Sequence, residues 1–221
     1  MKVPYRTVFS EKRKTISLVV ERDKQIIVYA PLNTLDDTIE KAVNSKKFWL
    51  YKKLNYTNKE ATNILQKEYV NGESFLYLGR NYLLEFIESE EEMKFLNRFH
   101  ISKDSKHKAK KLLDQWYREK AKEKIDSIIS EFSVKMGVTC KATKFTKMQY
   151  QWGSCSVDKT ININYNLIKA PRFVINYVVV HELAHIIELN HSDEFWSLVK
   201  AQLPQHEQAK IWLIDNGDKL L

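Results

Sequence analysis

Thr15 to Val20 and Gln25 to Tyr29 are short, apolar-rich runs on either side of Arg22-Asp23-Lys24. Two strand-like runs parted by a short polar turn predict a β-hairpin. Ser74 to Leu78 and Tyr82 to Ile87, around Gly79-Arg80-Asn81, predict a second. Between them, Leu35 to Asn55, opened by Thr34 and the acidic pair Asp36-Asp37, and Asn58 to Tyr69 carry helical patterns. Residues 1–100 are therefore expected to form an N-terminal α+β module.

The period then changes. Ala109, Leu112, Leu113, Trp116, Ala121, Ile125, Ile128, Phe132 and Met136 recur at helical steps, so one long helix is expected from Ser102 to Met136, ended by Gly137. Val138 to Phe145 and Thr160 to Leu167 read as strands. In the second, Ile161, Ile163, Tyr165 and Leu167 alternate with Asn162, Asn164 and Asn166, giving one apolar face and one amide face. Pro171 opens a further helix expected to run to about Leu189. Ser192 with Asp193-Glu194 caps another, ending near Pro204, and a last helix covers Gln205 to Ile214. Residues 101–221 are expected as a second domain.

With 221 residues and 43% hydrophobic content, the chain can fill a core without staples. Its two cysteines, Cys140 and Cys155, do not make a disulfide framework, so a reducing, cytoplasmic setting is expected. The first apolar run, Ile16 to Val20, is too short for an export signal. The stretch from Phe173 to Ile187 is interrupted by Asn176, His181, Glu182 and His185, which predicts a buried helix and no membrane span. A net charge of +8 favours encounter with acidic partners. The lysines of the long helix, such as Lys106, Lys110 and Lys120, are interspersed with Asp114, Glu119 and Glu123, as on a solvated face. Binding of nucleic acid is the alternative to catalysis that this charge suggests.

Chemistry concentrates in His181-Glu182-Leu183-Ala184-His185. Positions i and i+4 of a helix share a face, so His181 and His185 can offer two imidazoles to one ion. Zinc in a catalytic site takes three protein ligands and keeps a fourth position for water. Glu188 shares the helical face, but a straight helix would line up its donors in a row. His191 can approach from outside that row if Asn190 adopts the left-handed conformation that turns the chain back, and it is the expected third ligand. Glu182 is the expected general base in hydrolysis of a polypeptide substrate. Tyr150, Tyr165, Tyr177 and His206 are candidates for an oxyanion donor. The histidine spacing equals that of metzincins, but Glu188 stands at their glycine position and no methionine follows for their Met-turn. A gluzincin site would need Glu194 or Glu207.

Gln151-Trp152-Gly153-Ser154-Cys155-Ser156, Ile161-Asn162-Ile163-Asn164, Tyr177 to His185, Asn190-His191-Ser192 and Phe195-Trp196 occur in this order. The series resembles the YgjP-like metallopeptidases and, more distantly, the SprT-like peptidases, some of which act on DNA-bound proteins. The resemblance implies an α+β, zincin-like catalytic domain, its active-site helix packed on a small β-sheet, preceded by the N-terminal module. It implies Zn2+ on His181, His185 and His191, with Glu182 catalytic. Trp152, Gly153 and Ser154 could border a cleft and add a substrate peptide to a sheet edge, or Trp152 could be core packing and Gly153 a bulge. Cys155 is either a redox-sensitive thiol or a small buried residue.

Overall fold

The computed structural model describes residues 4–11, 13, 15–20, 25–46, 50, 67–148 and 151–221. They form two compact units, Met1–Gln66 and Lys67–Leu221. In the first, β1 (Arg6–Ser10), β2 (Ser17–Val20) and β3 (Ile26–Pro31) make a sheet of order β1-β3-β2. The expected pairing of the first hairpin is present: β2 runs antiparallel to β3, with Ser17 opposite Tyr29 and Val20 opposite Ile26. Alternate β3 residues Ile26, Val28 and Ala30 are buried in one cluster with Ile39 and Val43 of α1 (Asp36–Ser45). Thr34 does not cap that helix. Its hydroxyl donates back to the Pro31 carbonyl at 2.8 Å, and Leu35 takes the cap position. Leu50 is helical and buried, whereas the helical reading over residues 51–66 lies outside the described residues.

The second unit begins with β4 (Ser74–Tyr77), β5 (Arg80–Ile87), β6 (Met93–Phe95) and β7 (Phe99–Ser102), in the order β4-β5-β7-β6. The expected hairpin joins β4 to β5 through Leu78 and Gly79, both left-handed, with φ of 49° and 78°. Only glycine fits at its tip, because a Cβ on Gly79 would lie 2.7 Å from Pro171 Cγ. The backbone N–H groups of Leu78 and Gly79 donate to the carbonyls of Ile168 and Lys169. Phe75, Leu84, Phe99 and Ile101 share one core with Leu113 and Tyr117. These contacts place the compact boundary at residues 66 and 67, not near residue 100 where periodicity changes.

The helix expected from Ser102 starts later: Lys103–Lys108 is a 3-10 turn, and α2 spans Ala109–Met136 with left-handed Gly137 as its cap. Its lysines partly pair within the helix, Lys120 and Lys124 with Glu123 and Lys135 with Glu131. A second sheet has the order β8-β10-β9, from β8 (Ala142–Thr146), β9 (Gly153–Cys155) and β10 (Thr160–Asn164). β10 gives way to a 3-10 turn, Tyr165–Lys169, which still buries Tyr165 and Leu167. Next come α3 (Arg172–Ala184), α4 (Asp193–Gln202), α5 (His206–Asn216) and a 3-10 turn, Gly217–Leu220.

Helix α3 is buried almost all round, from Val174 and Ile175 through Val178, Val179 and Val180 to Leu183 and Ala184. It packs against α2, α4, α5 and β9. Helices and small sheets thus combine in an α+β arrangement. Among the described residues no helix is long and apolar enough to cross a membrane.

Candidate metal centre

His181 and His185 lie one turn apart at the end of α3, where His185 is the cap. The helix stops short of the expected Leu189. Ile186 and Ile187 donate to the carbonyls of Leu183 and Ala184, and Glu188 also closes on Ala184. Further turns would gain little burial, since Ile187 and Leu189 are exposed. Asn190 is not among the left-handed residues. The chain therefore turns back through this tightened end, rather than through Asn190, and still brings His191 to the pair.

One ring nitrogen from each of His181, His185 and His191 can be chosen so that all lie within 4.8 Å of one another. The Nε2 atoms of His181 and His191 are 3.0 Å apart. Two tetrahedral ligands of one zinc ion sit roughly 3.3 Å apart, so this spacing fits a shared ion. His185 Nδ1 lies 3.1 Å from the Glu188 carbonyl, where its proton belongs, leaving Nε2 with a lone pair. Burial, followed by the charges of His185 and His191, pushes His181 down to about 3, so its imidazole is neutral and free to ligate. The donor set suits zinc. Glu188 serves elsewhere: its carboxylate accepts from Asn190 N–H at 3.1 Å. Glu194 and Glu207 do not join the cluster, and Glu207 instead approaches His206 and Lys210.

Glu182 packs against β9. A Cβ on Gly153 would lie 2.6 Å from Glu182 Oε1 and 2.7 Å from Cγ, so the bare glycine backbone is what admits this carboxylate. Burial alone raises Glu182 to about 8. The loop before β9 is held by the amide face of β10, whose purpose the sequence pattern does not reveal. Asn164 donates its side-chain N–H groups to the carbonyls of Met148 and Gln151, while its Oδ1 accepts from Asn166 N–H. Its backbone N–H donates to the Trp152 carbonyl. Asn162 Oδ1 accepts from the Thr146 hydroxyl at 2.9 Å.

Phe195, fully buried, is the apolar wall of the cluster. Its ring centroid lies 4.9 Å from His181, 4.5 Å from His185 and 4.8 Å from His191. The sequence clue was its place one turn into a capped helix directly after His191.

The oxyanion candidates separate. Tyr165 donates its hydroxyl to Asp114 at 2.7 Å, toward α2. Tyr177 sits 5.8 Å from His181 by ring centroids, and burial, then Glu207 and Glu182, push it up to about 12, so it remains a donor. His206 stacks on Trp196, and Tyr150 lies outside the described residues. Trp152 packs its indole over Gly217, with 3.3 Å from a Gly217 Cβ to Trp152 Cζ2. Ser154 pairs with Asn162 on β10. Cys155 is a free, half-buried thiol raised by burial and then by Glu182.

The model of the YgjP-like metallopeptidase domain matches residues 14–216. The chain belongs to the YgjP-like metallopeptidase family. The match takes in nearly all of the first unit, where no motif announced it. No curated protein matches the chain. Among solved structures, the metallopeptidase zymogen abylysin of Pyrococcus abyssi is 18% identical, covering 40% of this chain and 91% of its own, with a TM-score of 0.37. The zymogen jannalysin of Methanocaldococcus jannaschii is 20% identical, covering 44% and 97%, with a TM-score of 0.38. The family makes this chain a metal-dependent peptidase acting on polypeptides.

Proposed function

We propose that the metal is zinc, held by His181, His185 and His191, and that Glu182 is the general base of peptide-bond hydrolysis. The observation that carries this reading is the convergence of three imidazoles within 4.8 Å, with the buried carboxylate of Glu182 next to His181 in the chain. When bound, zinc would supply Lewis acidity, making a water nucleophilic near neutral pH and polarising the scissile carbonyl. Glu182 takes the proton of the attacking water and returns one to the leaving amine. The site's polypeptide substrate adds along β9, because that strand pairs with β10 on one edge only among the described residues and lies beside Glu182. Gly153 and Ser154 then offer backbone to the substrate, and Trp152 steadies the strand from behind. Two free thiols support a reducing, cytoplasmic setting.

Glu182→Gln tests the mechanism. It is expected to keep its zinc and lose about 10²- to 10⁴-fold in cleavage of an unfolded protein. A variant retaining both metal and full activity would sink the assignment.

A further inference from the structure

We propose that Trp196, backed by His206, is a positioning residue that holds His191 in ligating geometry. The inference rests on the zinc reading above. His181 and His185 are set by one buried helix, α3, whereas His191 is exposed on the segment between α3 and α4. An exposed ring on a connecting segment keeps its rotamers unless something packs on it. Phe195 cannot single out His191, since it meets all three rings at nearly equal distances.

Trp196 can. Its ring lies almost parallel to His191, at 26° and 5.8 Å between centroids, but is inclined by 61° to His181. On α5, His206 lies parallel to the same indole, at 22° and 5.8 Å. Lys210, one turn further along that helix, places Nζ 5.0 Å from the indole centroid. His206 is itself buried, with Nδ1 3.2 Å from the Leu203 carbonyl. Offset stacking at such separations is favourable beyond the area it buries. Residues of two helices, α4 and α5, are thus coupled, ring upon ring, to the exposed histidine of the cluster.

The test is the zinc dissociation constant of the full chain, measured by competition with a chromogenic chelator, together with the absorption spectrum of the cobalt-substituted protein. Trp196→Ala is expected to bind zinc about 10- to 100-fold more weakly, the range seen when support around a ligand is removed. The cobalt spectrum should lose the intensity of a four-coordinate site, a change that mere loss of fold stability would not produce. Trp196→Phe, which keeps a ring, should recover most of the affinity. If wild type itself binds no zinc, the zinc reading fails and takes this inference with it. If wild type binds zinc and Trp196→Ala binds it equally well with an unchanged cobalt spectrum, the positioning role alone is overturned. Should Trp196→Ala not fold, His206→Ala decides: a severalfold weaker affinity supports the role, and an unchanged one removes it.

Discussion

The two walls of the metal centre are built by opposite means. On the β9 side, Glu182 is admitted by the lack of a side chain on Gly153, and the loop before that strand is held by hydrogen bonds that Asn164 donates to Met148 and Gln151. On the α4 side, all three histidine rings meet Phe195, and His191 also lies nearly parallel to Trp196. A proposed base has to reach one spot beside the scissile bond, and hydrogen bonds with their angular demands hold a backbone to that spot. A ligand needs its ring fixed while its lone pair stays open. Apolar and stacked contacts do this without competing for the nitrogen.

The largest expected effect falls on the β9 wall. Gly153 has no left-handed φ, so only its contact with Glu182 demands glycine. Gly153→Val should displace the carboxylate and lower turnover by about as much as losing the base, 10²- to 10⁴-fold, with zinc content unchanged. Steady-state cleavage rates and metal analysis on one preparation check this. If zinc is lost with activity, the two walls are not separate in function.

Removing the metal acts on the other wall. Chelation should lower the melting temperature of wild type, since a ligand bound at 100 times its dissociation constant stabilises by about 2.7 kcal/mol. Gly153→Val should show the same drop on chelation, and Trp196→Ala a smaller one at matched zinc concentration. An identical drop in all three proteins would erase the distinction between the walls.

Asn164→Ala removes the donor to Met148 and Gln151 and leaves the buried Asn166 N–H without its acceptor, at a cost of roughly 1–3 kcal/mol in urea denaturation. Asn164→Asp keeps the acceptor for Asn166 N–H and loses only the donors. Both variants should lower peptidase activity, because the loop before β9 is what both release. If Asn164→Asp is fully active, the loop does not depend on the clip.

How legible these walls were follows from their physics. The His181 and His185 pair and its glutamate are stated by spacing on a helix, and the Pro171, Gly137 and Ser192 boundaries are stated by local backbone chemistry. The end of α3 was not, because Ile187 and Leu189 continue an apolar pattern that finds no burial. His191 could be named as the candidate third ligand, while the turn that brings it to the pair does not run through a left-handed Asn190. The alternation of asparagines on β10 was visible, but its partners are backbone carbonyls some 13 to 16 residues away, which no local pattern encodes. The same holds for Gly153, whose reason is a side chain on another element. The boundary near residue 100 marked a change of period, whereas the compact unit is set by where Phe75, Leu84 and Phe99 are buried.

The smallest expected effect decides what holds the α4 wall. Ser192 Oγ accepts from Phe195 N–H at 3.4 Å, a long cap on the helix that carries both aromatic rings and directly follows His191. Ser192→Ala should cost about 1 kcal/mol of stability, and Ser192→Gly only a few tenths. If ring packing positions His191, neither variant should weaken zinc binding by more than about twofold, because Phe195 is anchored by its own burial. If Ser192→Ala instead weakens zinc as much as Trp196→Ala does, backbone hydrogen bonding governs both walls. The contrast between them would then be one of residue type and not of mechanism.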